Sequence, residues 1–135
     1  MTKIFSENKK KSAIIWNDKP FTYEWLLDRY FFWKNKILSE NIVPGTITIV
    51  EADFSPNSVA LLLALIESEC IFVPITKSIG LKRDSFIEIA QGQVLFNIDQ
   101  NDNVKISKLT YEANHPIYQK LRSSKEPGLV LFSSG

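Results

Sequence analysis

Apolar residues recur at steps of three and four between residues 23 and 37, and this period predicts an amphipathic α-helix of about 18 residues. Thr22 stands where an N-cap residue is expected, and Asn41 is suited to end the helix in the left-handed conformation. Polar residues such as Glu24 and Asp28 fall on the opposite face. The apolar positions of this helix are Tyr23, Leu26, Leu27, Tyr30, Trp33 and Ile37.

The same helix carries three further aromatic residues, Trp25, Phe31 and Phe32, which is more than one packing seam requires. Two interpretations follow. The helix is packed between two layers, or its extra aromatic side chains form a surface for a partner or a ligand. We favour the first, because aromatic side chains supply large buried areas.

Short apolar runs predict strands that alternate with helical segments. Ser55 and Pro56 predict the start of a second helix, and residues 59–66 are all apolar, so this helix should be covered on both sides. A strand, a helix and a strand over residues 46–75 predict a right-handed parallel crossover. The fold class is therefore α/β, a mainly parallel sheet with flanking helices. The predicted strands are 13–16, 46–50, 71–75, 94–96, a half-exposed hairpin strand over 104–109, and 129–132.

The remaining segments have weaker signals. Residues 17–20 are typical of a turn, and Leu81, Phe86, Ile87 and Ala90 suit a short helix that ends at Gly92. Residues 116–122 suit one or two helical turns. Residues 1–11 contain a lysine run and are expected to fray.

Composition narrows the possible functions. A chain of 135 residues with 44% hydrophobic and 23% charged residues is one globular domain. The net charge of +1 gives no support for a nucleic-acid partner. The longest apolar run, residues 59–66, is too short for a membrane span. Cys70, the single cysteine, is expected to be a small buried residue in a cytoplasmic protein.

Common catalytic signatures do not occur. The sequence has no Gly-Lys-Ser or Gly-Lys-Thr string, and neither Ser133 nor Ser134 has a glycine two residues before it. His115, the one histidine, is expected in a loop or at a helix start, and one His with one Cys cannot build a typical metal cluster. We therefore predict no metal site and assign no catalytic residue.

The end of the chain carries the one signal for chemistry. Residues 129–132 read as a strand buried on both faces, followed by Ser133, Ser134 and Gly135. Glycine lets the main chain approach an anion, and hydroxyl and N–H groups can bind it. These three residues are the candidate phosphate-binding residues, although Ser and Gly after a strand commonly form an ordinary turn.

In this context, residues 132–135 resemble the opening of the phosphate loop of adenylate-forming enzymes, the acyl-CoA synthetase, adenylation-domain and luciferase superfamily. Residues 21–26, 42–49 and 56–75 are similar to that family's first long helix and the strand, helix and strand after it. Thr46 stands where the family often has aspartate, and Glu69-Cys70 where it often has glycine and alanine.

The resemblance implies a single truncated domain, residues 1–135, the N-terminal subdomain of a longer AMP-forming carboxylate ligase. Its parent would use ATP and Mg²⁺ to make an acyl-adenylate and pyrophosphate. The acyl group would then pass to a thiol such as coenzyme A or a carrier pantetheine. The piece alone is expected to be inactive, to bind no cofactor and to self-associate through exposed apolar surface. The acid and the acceptor thiol are not specified.

The alternative is a non-enzymatic cytosolic α/β domain that binds a partner through the aromatic helix, residues 22–40.

Overall fold

The computed structural model describes residues 2–132, which fold into a layered arrangement of helices and strands. The α-helices are α1 (Thr2–Glu7), α2 (Tyr23–Ser39), α3 (Pro56–Glu67), α4 (Arg83–Ala90) and α5 (Pro116–Ser124). A 3-10 segment, Lys77–Lys82, precedes α4. The strands are β1 (Ser12–Trp16), β2 (Lys19–Thr22), β3 (Ile47–Glu51), β4 (Ile71–Ile75), β5 (Val94–Ile98), β6 (Val104–Lys108) and β7 (Gly128–Leu129).

Five strands form one sheet in the order β6-β5-β3-β4-β7. β3 pairs in parallel with both β4 and β5, and β4 pairs in parallel with β7. β6 alone runs antiparallel, as a hairpin with β5. The predicted α/β class with a mainly parallel sheet is therefore confirmed.

Helices cover both faces of the sheet, so neither face of the central strand, β3, is exposed to solvent. Side chains alternate along a strand, and Val50 accordingly packs with residues of α2 and α3, whereas Ile47 and Ile49 pack with residues of α4 and α5. All five residues of β3 are buried. The two polar side chains of β3, Thr48 and Glu51, are accordingly buried and hydrogen-bonded.

The predicted helix caps are confirmed. Thr22 Oγ1 accepts a hydrogen bond from Trp25 N at 3.1 Å. Ser55 and Ser58 cap each other's main chain at the start of α3, with Pro56 as the first residue of the helix. Asn41 follows α2 with φ of 59°. These local contacts set the boundaries of both long helices.

The prediction that α2 is packed between two layers is wrong for two of its three further aromatic residues. Phe31 and Phe32 are 48% and 47% exposed, while Leu26, Tyr30, Trp33 and Ile37 form the buried stripe. The helix is covered on one side only, so aromatic residues outside the stripe face solvent.

The prediction that α3 is covered on both sides is also only partly correct. Ile66 is 41% exposed, and Val59, Leu62 and Leu63 are only partly buried. The fully buried side carries small residues, Ala60 and Ala64, which allow close packing of α3 against its neighbours.

The predicted last strand is shorter and more exposed than expected. β7 comprises two residues, and Leu129 and Leu131 are 61% and 69% exposed. The reason is topological, because β7 lies at an edge of the sheet and only Val130 and Phe132 point to the side that α4 and α5 cover. The prediction of a strand buried on both faces is therefore wrong.

Three further segments differ from expectation. β2 pairs with β1 through a tight turn in which Asn17 and Asp18 both have positive φ, so residues 17–20 are a turn plus the start of a strand. Leu81 belongs to the 3-10 segment and is fully exposed. The expected frayed segment includes α1, whose Phe5 ring lies 5.3 Å from that of Tyr23.

The exposed leucines near the last strand lead to a testable expectation of self-association. An edge strand with apolar side chains is a template for pairing with a second copy. Light scattering of residues 1–135 should therefore show a mass above the monomer that rises with concentration. The double variant L129K/L131K should shift the mass toward the monomer.

The control is L81K, because Leu81 is a still more exposed leucine but lies in the 3-10 segment and not in β7. It should leave the mass distribution unchanged. A concentration-independent monomer for the unmodified chain would contradict the expectation.

Candidate functional site

The carboxyl ends of the parallel strands form the candidate site. The chain passes from β3 to β4 on one side and then crosses over to β5 on the other. The connection that leaves β3 and the connection that enters β5 therefore run in opposite directions across the sheet, and a crevice forms between these two neighbouring strands. In open α/β sheets, ligands bind in the crevice at such a topological switch point.

A buried carboxylate lies at this point. Glu51, the last residue of β3, is 7% exposed. Its Oε2 accepts a hydrogen bond from Arg83 Nε at 2.6 Å, and its Oε1 accepts one from Asn97 Nδ2 at 2.6 Å. Lys77 Nζ donates to Asn97 Oδ1 at 3.1 Å. The cluster joins the ends of β3 and β5 to the start of α4.

In this cluster, Glu51 and Arg83 each stabilise the charged form of the other. Burial tends to raise the pKa of Glu51, but the hydrogen bonds from Arg83 and Asn97 and the nearby positive charges outweigh it, so the pKa is lowered. The hydrogen bond to Glu51 raises the pKa of Arg83 despite partial burial. Glu51 is therefore an ionised, satisfied carboxylate, which is a poor general base at neutral pH.

An open cleft of about 590 Å³ lies beside the cluster. The loops after β3, β4 and β5 and the tip of the β1–β2 hairpin form its walls. Asp53 and Asp99 contribute negative charge and Lys77 positive charge, while Trp16 and Phe54 contribute aromatic surface. The cleft is therefore mixed in polarity, with no surplus of positive charge for a phosphate.

The carboxylate of Asp102 already binds the main chain at the N-terminus of α3, next to this cleft. Asp102 Oδ2 accepts a hydrogen bond from Asn57 N at 3.0 Å, and Asn57 Oδ1 accepts one from Trp33 Nε1 at 3.1 Å. A carboxylate at a helix N-terminus satisfies the free N–H groups and the helix dipole. An anionic ligand therefore has no vacant helix terminus at α3.

The candidate phosphate-binding residues, Ser133, Ser134 and Gly135, lie outside the described residues, so their role stays a prediction. The segment that leads to them is described. Gly128 pairs with Ile71 in parallel register, and Val130 N donates to Phe72 O at 2.9 Å. β7 therefore runs toward the same edge of the sheet as Glu51. Phe132 stacks on Phe86 of α4, with ring centroids 4.1 Å apart and planes at 2°.

Other reactive side chains have structural roles. Cys70 is 1% exposed, and burial raises the pKa of its thiol to about 11, as expected for a small buried residue. His115 Nδ1 accepts a hydrogen bond from Ile117 N at the start of α5, which confirms its predicted place at a helix start.

Within residues 2–132, no group of three or more His, Cys, Asp or Glu side chains could hold a metal ion. No helix in this range is long and apolar enough to cross a bilayer.

No protein-family model and no curated protein matches this sequence significantly. Solved structures do match. The N-terminal subdomain of Klebsiella oxytoca NpsA, in complex with 3-hydroxyanthranilyl-AMSN, superposes with a TM-score of 0.72 at 18% identity, covering 99% of this chain and 36% of that one. An artificially fused adenylation-PCP di-domain NRPS from the same organism, NpsA-ThdA, gives 0.72 at 17% identity, covering 98% and 27%. VinN in complex with L-aspartate gives 0.68 at 14% identity, covering 97% and 33%.

At these identities, the likeness establishes the fold. The chain spans roughly a third of the length of the structures it matches. The expected resemblance to adenylate-forming enzymes is confirmed at the level of the fold: residues 2–132 have the fold of the N-terminal subdomains of adenylation domains.

Proposed function

We propose that this chain forms the N-terminal part of an ATP-dependent, AMP-forming carboxylate ligase. The observation that carries the proposal is the agreement in fold over 96% to 99% of the chain with the adenylation-domain structures of NpsA. A second observation supports it: β7 and Val130 run parallel to β4, toward the carboxyl ends of the central strands. Nucleotide sites in α/β folds lie at these strand ends.

The proposed reaction has two steps. A substrate carboxylate oxygen attacks the α-phosphorus of ATP, the bond to the β-phosphate oxygen breaks, and pyrophosphate leaves as the acyl-adenylate forms. A thiol, such as coenzyme A or a carrier pantetheine, then attacks the acyl carbon, and AMP leaves. NpsA-ThdA is described as an adenylation-PCP fusion, which favours a carrier-bound thiol.

This chain would contribute contacts to the phosphates. Ser133 and Ser134 offer hydroxyl and N–H donors, and Gly135 lets the main chain approach closely. Donors aimed at the leaving pyrophosphate offset its growing charge, an effect worth about 2.7–4 kcal/mol for one well-placed donor. Residues 2–132 gather no set of carboxylates suited to Mg²⁺, so we assign the metal no ligand among them.

The chain by itself is proposed to be inactive and to bind neither ATP nor Mg²⁺ appreciably, because Ser133, Ser134 and Gly135 offer only one part of a triphosphate site. Its proposed partners are the carboxylate substrate and the thiol acceptor of the whole ligase.

The test measures carboxylic-acid-dependent exchange of labelled pyrophosphate into ATP. It uses the protein translated from the complete reading frame that contains this chain. We expect exchange with at least one acid in a broad panel, and a loss of about 10²-fold or more in S134A. S123A is the matched control, since Ser123 lies on α5 and bonds only to Gln119 O. No exchange with any acid would overturn the proposal.

A second candidate function has one specific observation in its favour. Arg29 lies over two aromatic rings of α2, with its Cζ 5.5 Å from the Trp25 centroid and 5.1 Å from that of Phe32. These side chains, with Asp28, border a shallow depression of about 280 Å³. This surface is suited to a protein partner, because aromatic and arginine side chains dominate interfaces. Pyrophosphate exchange that persists in F31A/F32A would favour the ligase function.

A further inference from the structure

α4 is held at its first residue by the buried cluster at the carboxyl edge. Arg83 donates to Glu51 at 2.6 Å, and Glu51 in turn accepts from Asn97 of β5. Farther along, α4 buries only Ile87 and Ala90. The ion pair therefore ties the start of this short helix to the ends of two central strands.

Phe86 lies on the same face of α4 as Arg83 and the buried Ala90, because residues three and four apart share a helix face. Its ring is partly buried and lies parallel to that of Phe132, 4.1 Å away between centroids. The two rings belong to the cluster that also includes Ile79 and Val130. An aromatic stack of this kind restricts both the position and the tilt of the ring.

The main chain around Phe132 has few other constraints. In the described part, β7 has ladder partners only at Gly128 and Leu129, followed by the hydrogen bond from Val130 N to Phe72 O. Leu131 is 69% exposed. The side chain of Phe132 is thus the main described contact of the chain directly before Ser133.

We propose that Phe86, anchored through Arg83 and Glu51, is a positioning residue for the phosphate loop. It holds Phe132, and Phe132 sets where the chain enters Ser133, Ser134 and Gly135. This inference rests on the proposed ligase function, and it assigns to the described residues a role in aligning the ATP phosphates.

The expected consequence is selective for ATP. Donors for a leaving pyrophosphate must be held within a fraction of an ångström, and a shift of about 1 Å can cost about 10²-fold in rate. Losing the stack should therefore raise KM for ATP and lower kcat. KM for the acid should stay within about twofold, because the stacking contact of Phe86 is with Phe132, directly before the proposed phosphate-binding residues.

The experiment uses the protein from the complete reading frame, with the acid that the unmodified enzyme activates fastest. F86L keeps apolar volume but removes the flat ring, and F86Y keeps the ring. We expect F86L to reduce kcat/KM for ATP by about tenfold or more, and F86Y to restore it to within about threefold. The control I89L changes a 65% exposed side chain on the outer side of α4 and should have no effect.

The outcomes separate the two claims. An unmodified enzyme without acid-dependent exchange overturns the proposed function. Exchange that is normal in the unmodified enzyme and equally normal in F86L overturns the positioning role. A loss in F86L that F86Y shares, or that affects the acid as much as ATP, also overturns it, because it would reflect general destabilisation. Thermal unfolding of each variant verifies that the compared proteins are folded.

Discussion

Replacing Phe96 by alanine is expected to lower the free energy of unfolding by about 3–5 kcal/mol. Phe96 is the largest fully buried side chain of the described residues, and it lies in the middle of β5. Its ring meets that of Trp33 edge to face, at 6.3 Å and 84°. The truncation leaves a cavity between β5 and α2 that a doubly covered sheet cannot close easily.

Urea unfolding followed by circular dichroism measures this change, and the thermal midpoint should fall by about 10–20 °C. The matched control is F31A, which removes the same atoms from a ring that is 48% exposed on α2. It should cost less than about 1 kcal/mol. Equal losses in the two variants would contradict the assignment of Phe96 to the core.

The second large effect is expected at Glu51. The variant E51Q should lower stability at pH 7 by about 1–3 kcal/mol, because it removes the charge from two hydrogen bonds in a buried site and leaves Arg83 with the exposed Asp84 as its counter-ion. The native pKa of Glu51 is lowered from its ordinary value of 4.5. The stabilisation by its carboxylate is therefore complete above pH 4.5 and is lost as the pH falls through the lower native pKa.

The difference in stability between the unmodified chain and E51Q should accordingly shrink in acid. Unfolding by urea at pH 7, 5, 4 and 3 measures it. E88Q is the control, since Glu88 is an exposed residue of α4. A double-mutant cycle with R83M isolates the coupling between the two side chains. The explanation fails if E51Q is as stable as the unmodified chain at pH 7, or if the difference is the same at pH 3.

Local signals predicted much of this fold. The caps at Thr22 and Ser55 and the left-handed Asn41 mark helix boundaries through hydrogen bonds made within a few residues. The period of α2 identified its buried stripe correctly. Such features depend on residues that are close together in the sequence, so they can be predicted from the sequence alone.

The incorrect predictions concern burial, which depends on which helices and strands pack against each element. The apolar run of α3 does not reveal that Ile66 remains 41% exposed, and the apolar run before Ser133 does not reveal that β7 is an edge strand. Exposure of Phe31 likewise depends on the number of layers around α2. These are properties of the tertiary arrangement, which overrides local pattern.

The buried cluster was not predicted, although one signal for it exists. Glu51 ends a strand whose other residues, Ile47 to Val50, are all β-branched and include three large apolar side chains. A charged residue at the carboxyl end of such a strand needs a partner. Its partners, Arg83 and Asn97, lie 32 and 46 positions farther along, so only the topology brings them together.

The order in which strands join the sheet also has a consequence for biosynthesis. β3 is made first and occupies the centre, and each later strand pairs with one that already exists: β4 and β5 on either side, then β6 and β7 at the rims. Each strand can therefore pair as it leaves the ribosome with a strand that has already been synthesised, although β5 and β7 pair with strands 46 and 57 residues earlier in the chain. Among the five strands of the described sheet, β7 is therefore the last to be synthesised and the last to pair.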